Sequence, residues 1–140
     1  MTTILCATRG GEASIRTQRK AIELARERGA ELLFLYVADV EFLGHMVGSI
    51  VVDVAAELEN MGEFLLLMAK ERAEQEGVTA RTVVKRGEFR AALLEAAAEG
   101  GASLIVLGSP GEDSSITQQD YLERLAAGIR EESGIETIIV

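Results

Sequence analysis

A chain with one cysteine and one histidine has little from which to build catalysis or a metal centre. Cys6 alone can form no intramolecular disulfide and no cysteine-based zinc site, so a reducing cytoplasm is the expected compartment. His45 has no second histidine, cysteine or positioned carboxylate nearby in sequence, and is read as a solvated or lid-edge residue rather than a metal ligand or general base. No Ser-His-Asp set can be assembled around it, no His-Glu-x-x-His is present, and the Lys-Ser/Thr end of a P-loop is missing. The expected function is therefore not enzymatic. Positive charge is also short. The net charge of −9 and a sequence pI near 4.7 argue against nucleic acid as a partner, because gripping a phosphate backbone needs a basic surface that releases counterions. A small anion held at a helix N-terminus stays compatible with that balance. Met1-Thr-Thr-Ile-Leu-Cys6 carries no basic leader, and no apolar run approaches the ~18–20 residues of a membrane span, so no membrane association is expected. Internal repeats and low-complexity tracts are absent, and the one proline, Pro110, falls in a turn.

What is present is a core. The hydrophobic fraction of 48% suffices for one domain spanning residues 1–140 without a disulfide or metal. Thr3-Ile-Leu-Cys-Ala-Thr8 reads as a buried strand that leaves through Arg9-Gly10-Gly11. From Glu12 to Arg28, Ile15, Ile22 and Ala25, flanked by Ala21 and Leu24, repeat at helical spacing, with Gly29 placed as a C-terminal cap. Glu31 to Val37 is an uninterrupted apolar run, the pattern of a strand covered on both faces. Asp53 to Glu76 places Val54, Leu58, Met61, Leu65, Met68 and Arg72 on one helical stripe widened by Leu66 and Ala69, with Met61 and Met68 assigned to the core. A third strand follows at Val78–Val84, a third helix marked by Phe89, Ala92, Leu93, Ala96 and Ala97, and a fourth strand at Ser103–Leu107. Tyr121, Leu122, Leu125, Ala126 and Ile129 mark a fourth helix, and Glu136–Val140 a fifth strand.

Strict strand–helix alternation through short turns predicts right-handed crossovers and an α/β fold: a five-stranded parallel sheet flanked by four helices, a Rossmann-like three-layer sandwich. Ligands in such sheets gather at the carboxyl ends of strands, where strand order reverses. That directs the search to the turns after Thr8, Val37 and Leu107. Val40 to Val52 is the least regular stretch, too apolar for a solvated loop and too broken by Gly44 and Gly48 for a regular helix. It is read as a lead into the second helix that packs on the core or a dimer contact, as a lid, or as a membrane contact.

The segments Ile4-Leu-Cys-Ala-Thr8, Leu32-Leu-Phe-Leu-Tyr-Val37, Val84-Lys-Arg-Gly87 and Leu104-Ile-Val-Leu-Gly-Ser109 resemble the universal stress protein family over essentially the whole chain. The resemblance implies an adenine-nucleotide-alpha-hydrolase-like fold, a homodimer and, in one branch, an adenine nucleotide as ligand. That branch carries Gly, two residues, Gly, nine residues, then Gly with Ser or Thr. Gly108-Ser-Pro-Gly111 matches the first half. The third glycine falls on Tyr121 counted forward, or near Glu123-Arg124 counted back from the last strand, so the second half fails. The branch also has an aspartate in the turn after the first strand, where this chain has Arg9. A glycine loop lets backbone N–H groups approach phosphate closely, and Tyr121 or Glu123 would crowd or repel it. Arg9 substitutes a donor-only cation for an acceptor.

The candidate ligand contacts are Ala7, Thr8, Arg9, Val37, Gly108, Ser109, Gly111 and Ser115. Two readings follow. In one, the usual ATP motif is degraded and the chain works by dimerisation and by sensing a small anion. In the other, Ser114, Ser115 and Thr117 rebuild a working nucleotide site; the plainer reading of these residues is an N-cap for the fourth helix. The terminal residues Thr137, Ile138, Ile139 and Val140 are apolar enough to pair across a two-fold axis. A phospho-receiver is disfavoured, because Arg9-Gly10 and Lys85-Arg86 stand where receivers carry acidic residues.

Overall fold

The computed structural model describes residues 2–8, 12–38, 48–108 and 116–140. The elements run β1 (Thr3–Ala7), α1 (Glu12–Arg28), β2 (Glu31–Ala38), α2 (Gly48–Gln75), β3 (Ala80–Arg86), α3 (Phe89–Gly100), β4 (Ala102–Leu107), α4 (Ile116–Ser133) and β5 (Glu136–Ile139). Every strand pairing is parallel and the sheet order is β3-β2-β1-β4-β5. The α/β fold expected from the alternation is the one observed. Right-handed crossovers explain the layering: the chain winds outward from β1 through β2 to β3, then jumps back past β1 to β4 and onward to β5. Reversing the direction of travel moves the connecting helices to the opposite face.

The core therefore has two halves. Ile4, Cys6, Leu32, Phe34, Leu104 and Val106 point to the side covered by α1 and α2. Leu5, Leu33, Leu35, Ile105 and Leu107 alternate to the side covered by α3 and α4. Both faces of β1 are buried, which is why its sequence reads as an apolar run without alternation. Cys6 is fully buried, and desolvation pushes its thiol up to about 12, so at neutral pH it packs as a small apolar side chain.

Two expectations on α2 are corrected. The helix begins at Gly48, ahead of Asp53, and so takes in the end of the irregular stretch; residues 39–47, with His45, lie outside the described residues. Met61 and Met68 are not core: they are 49% and 38% exposed, and Phe64 and Leu67 beside them are more exposed still. The inner face is instead Gly62, Leu66, Ala69 and Ala73. From Met61 to Ala69 nearly every side of the helix is apolar, so periodicity alone fits two stripes. Size decides between them. A Cβ built on Gly62 would lie 2.3 Å from Cδ1 of Tyr36, so only a glycine lets α2 sit this close to β2.

At the other face, the Glu88 side chain caps α3 by accepting from the backbone N–H groups of Arg90 and Ala91 at 3.0 and 2.9 Å. Lys85 on β3 reaches Glu99 and Glu95 at 2.8 and 2.9 Å, and those hydrogen-bonded carboxylates hold its ammonium above the ordinary lysine range. Glu59 accepts a hydrogen bond from Arg86 and joins α2 to the end of β3. No helix among the described residues is long and apolar enough to cross a membrane.

Gly62→Ala is expected to destabilise the fold by about 1–3 kcal/mol, because the tyrosine ring sits on a packed strand and must shift. A lowered urea midpoint with an unchanged slope would show this; an unaltered midpoint would mean that α2 can slide.

Candidate functional site

The strand order reverses between β1 and β4, and in sheets of this kind ligands gather at the carboxyl ends of the strands at such a reversal. The register pairs Cys6 with Val106, which brings Ala7 and Thr8 alongside Leu107 and Gly108. Thr8 is 3% exposed. Its N–H donates to the Leu35 carbonyl at 2.9 Å, and its hydroxyl accepts from Nε2 of Gln18 at 2.6 Å. Oε1 of Gln18 in turn accepts from Nη1 of Arg72 at 2.9 Å. One buried glutamine thus links the end of β1 to α1 and α2.

Gly108 is held close to α1. A Cβ there would stand 2.7 Å from Oγ1 of Thr17, so the backbone at the end of β4 approaches α1 more closely than any side chain would allow. Thr17 is 1% exposed. α1 begins at Glu12, just past the end of β1, so its N-terminal turn and the positive end of its dipole lie at the same edge. Backbone N–H groups, a threonine hydroxyl and a helix N-terminus suit an anionic or hydrogen-bonding ligand. Among the described residues no group of three or more His, Cys, Asp or Glu is placed to hold a metal.

Of the residues expected at the site, Ala7, Thr8 and Gly108 come together. Val37 lies further along β2, two residues beyond Leu35, which is the partner of Ala7. It packs with the α3–α4 half of the core. Arg9, Ser109, Gly111 and Ser115 lie outside the described residues, as does the N-cap role of Ser114 and Ser115. Tyr121, Glu123 and Arg124, the positions counted for the missing third glycine, fall inside α4 and are exposed. Sequence reasoning missed Thr17, Gln18 and Arg72. A signal existed: Thr17 and Gln18 precede Ala21, Ile22 and Ala25 at helical spacing, so two polar residues occupy the buried stripe of α1.

The family profile for the Universal stress protein family matches residues 1–128. A universal stress protein of Bacillus subtilis is 34% identical over 116 residues, covering 77% of this chain and 78% of the relative. One from Methanocaldococcus jannaschii is 30% identical over 126 residues, covering 89% and 70%. Among solved structures, a universal stress protein family member from Burkholderia pseudomallei superposes with a TM-score of 0.75 at 27% identity, over 99% of this chain and 95% of its own. Two more distant structures share the fold. One is a universal stress protein in complex with cAMP (TM-score 0.69, 22% identity, 99% and 96% covered). The other is a family protein from Arabidopsis thaliana with AMP bound (TM-score 0.68, 14% identity, 100% and 91% covered).

Replacing Gln18 with leucine removes both bonds of the buried link. A loss of about 1–3 kcal/mol in denaturant-measured stability is expected, because the threonine hydroxyl and the guanidinium both lose a buried partner. A neutral effect would mean that leucine packing compensates fully.

Proposed function

Because the chain belongs to the universal stress protein family, we propose that it is a stress-response module that works without catalysis, by associating with itself and by holding a small anionic ligand between the ends of β1 and β4. The carrying observation is the approach of Gly108 to Thr17 at the reversal of strand order, which puts bare backbone and the N-terminal turn of α1 at the same sheet edge. In the sequence, Arg9 adds a cation to this edge of an otherwise acidic protein.

The ligand class we favour is an adenine nucleotide with a single phosphate. A triphosphate needs the full glycine loop, and the sequence keeps only Gly108-Ser-Pro-Gly111, with Tyr121 or Glu123 where the last glycine belongs. One phosphate asks for fewer backbone donors. The cAMP and AMP complexes of two structural relatives support the same class. A rebuilt loop that accepts ATP is the second reading, resting on Ser114, Ser115 and Thr117.

Self-association is assigned to β5. It is an edge strand of the sheet, and Ile138, Ile139 and Val140 are only partly buried within one chain. Pairing Thr137–Val140 with a second copy across a two-fold axis would satisfy its open edge. The cytoplasm is the compartment we infer, from the lone buried thiol.

Thermal unfolding with AMP, cAMP and ATP tests the ligand. Saturation at ~100 times the dissociation constant raises stability by about 2.7 kcal/mol. AMP or cAMP acting below the ATP concentration that gives an equal shift is the expected result; preference for ATP favours the rebuilt loop, and no shift with any of the three removes the nucleotide. Light scattering at tens of micromolar protein tests association: a dimer is expected, and a monomer overturns the role of β5.

A further inference from the structure

Away from the β1–β4 edge, a hollow of about 750 Å³ lies between α1 and α2, lined by the charged side chains of both helices over the buried Ile22. Its charges do not cancel in place. Arg26 and Glu76 pair at 2.9 Å, and Glu23 faces Lys20 at 3.9 Å. Arg19, Arg72 and Glu27 are left, none with an oppositely charged partner among the described residues. Arg19 and Arg72 belong to the same end of the hollow, since Arg72 bonds Gln18, the neighbour of Arg19 on α1. Glu27 is eight residues further along α1, about 12 Å away by helical rise.

The way Arg72 is held sets it apart from an ordinary surface cation. In a chain with 23 acidic and 14 basic residues, a guanidinium readily finds a carboxylate. Arg72 is instead oriented by a neutral amide, that of Gln18, which is itself 3% exposed and fixed from behind by Thr8. A neutral anchor fixes direction without cancelling charge. One of five guanidinium N–H donors serves Gln18; the others have no protein acceptor among the described residues.

We propose that this end of the α1–α2 hollow is a second binding site, for a small dianionic ligand gripped by Arg72 and Arg19. The shared chemistry is a pair of oxyanion oxygens meeting planar guanidinium donors, which phosphates and dicarboxylates both present. Gln18 is a positioning residue: it aims Arg72 and touches no ligand. The Thr8–Gln18–Arg72 link joins this hollow to the β1–β4 edge, but the ligand gripped here does not depend on the nucleotide reading. Because the hollow is open to solvent, binding weakens with added salt.

The test is an NMR titration of the full chain with pyrophosphate and, separately, succinate, following the Arg72 Nε–H, the Gln18 side-chain amide and the Ile22 backbone. Saturable shifts are expected at these three groups. Arg72→Met is expected to weaken binding roughly tenfold or more, the loss of a charge-assisted hydrogen bond. Arg19→Gln, at an exposed position where folding is not at stake, weakens it less. Melting curves establish that Arg72→Met is folded. Saturation by pyrophosphate alone identifies the ligand as a phosphate, and by succinate alone as a dicarboxylate; saturation by both supports selection by charge. The proposal is overturned by absence of saturable shifts with either probe, by shifts confined to Thr8 and Gly108, or by affinities unchanged in both variants.

Discussion

β1 is hydrogen-bonded on both sides, to β2 and to β4, and the rest of the molecule is arranged around that one strand. A five-residue segment with partners on both edges and helices on both faces exposes almost no side chain, so Ile4, Leu5 and Cys6 are fully buried. The double pairing also decides where function can sit. β1 is followed by α1 on one face and β4 by α4 on the other, which makes the boundary between them the point where strand order reverses and where ligands gather in such sheets. That position is a product of topology, and Gly108 and Thr17 set how closely the end of β4 approaches α1 beside it.

Close approach recurs as the means of packing. Gly62 rides on the ring of Tyr36, and Gly100 on the side chain of Leu33, where an added Cβ would lie 2.5 Å from Cδ2. Ala69 and Ala73 continue the inner face of α2. Small residues inward bring backbone near backbone and increase dispersion contact across the layer. Of the large side chains of α2, Leu66 packs inward and Leu58 and Leu65 flank it, while Met61, Phe64, Leu67 and Met68 are left exposed. The surface ion pairs are a lesser influence. Arg90–Glu132 and Lys70–Glu74 are mostly solvent-exposed, and pairs of that kind contribute ~0–1 kcal/mol each.

The fold was legible in the sequence because its signals are local and repeated. Apolar runs at β1, β2 and β4 and glycines after α1 and α3 locate the elements, and strict alternation implies parallel pairing. The site was legible in outline only. Ala7, Thr8 and Gly108 follow from the rule that ligands gather where strand order reverses, and that rule needs no side-chain detail. Gln18 and Arg72 are 54 residues apart in sequence, and a contact at that distance leaves no trace in periodicity. Met61 and Met68 show the same limit from the other direction. The pattern of α2 allows two inner faces, and only the ring of Tyr36, on another element, selects one.

The two edges of the sheet differ. β5 ends in Thr137, Ile138 and Ile139, while β3, at the opposite margin, carries Arg81, Thr82, Lys85 and Arg86, with Arg81, Thr82 and Arg86 facing solvent. An all-parallel sheet is directional, so stacking β5 of one copy on β3 of the next would repeat without end and build a fibre. The basic side chains along β3 already hold carboxylates of the same chain, Arg81 with Glu31, Lys85 with Glu95 and Glu99, and Arg86 with Glu59, and burying that charged margin against an apolar strand would cost their solvation. Charge at the β3 margin works against head-to-tail stacking, while the β5 margin is apolar.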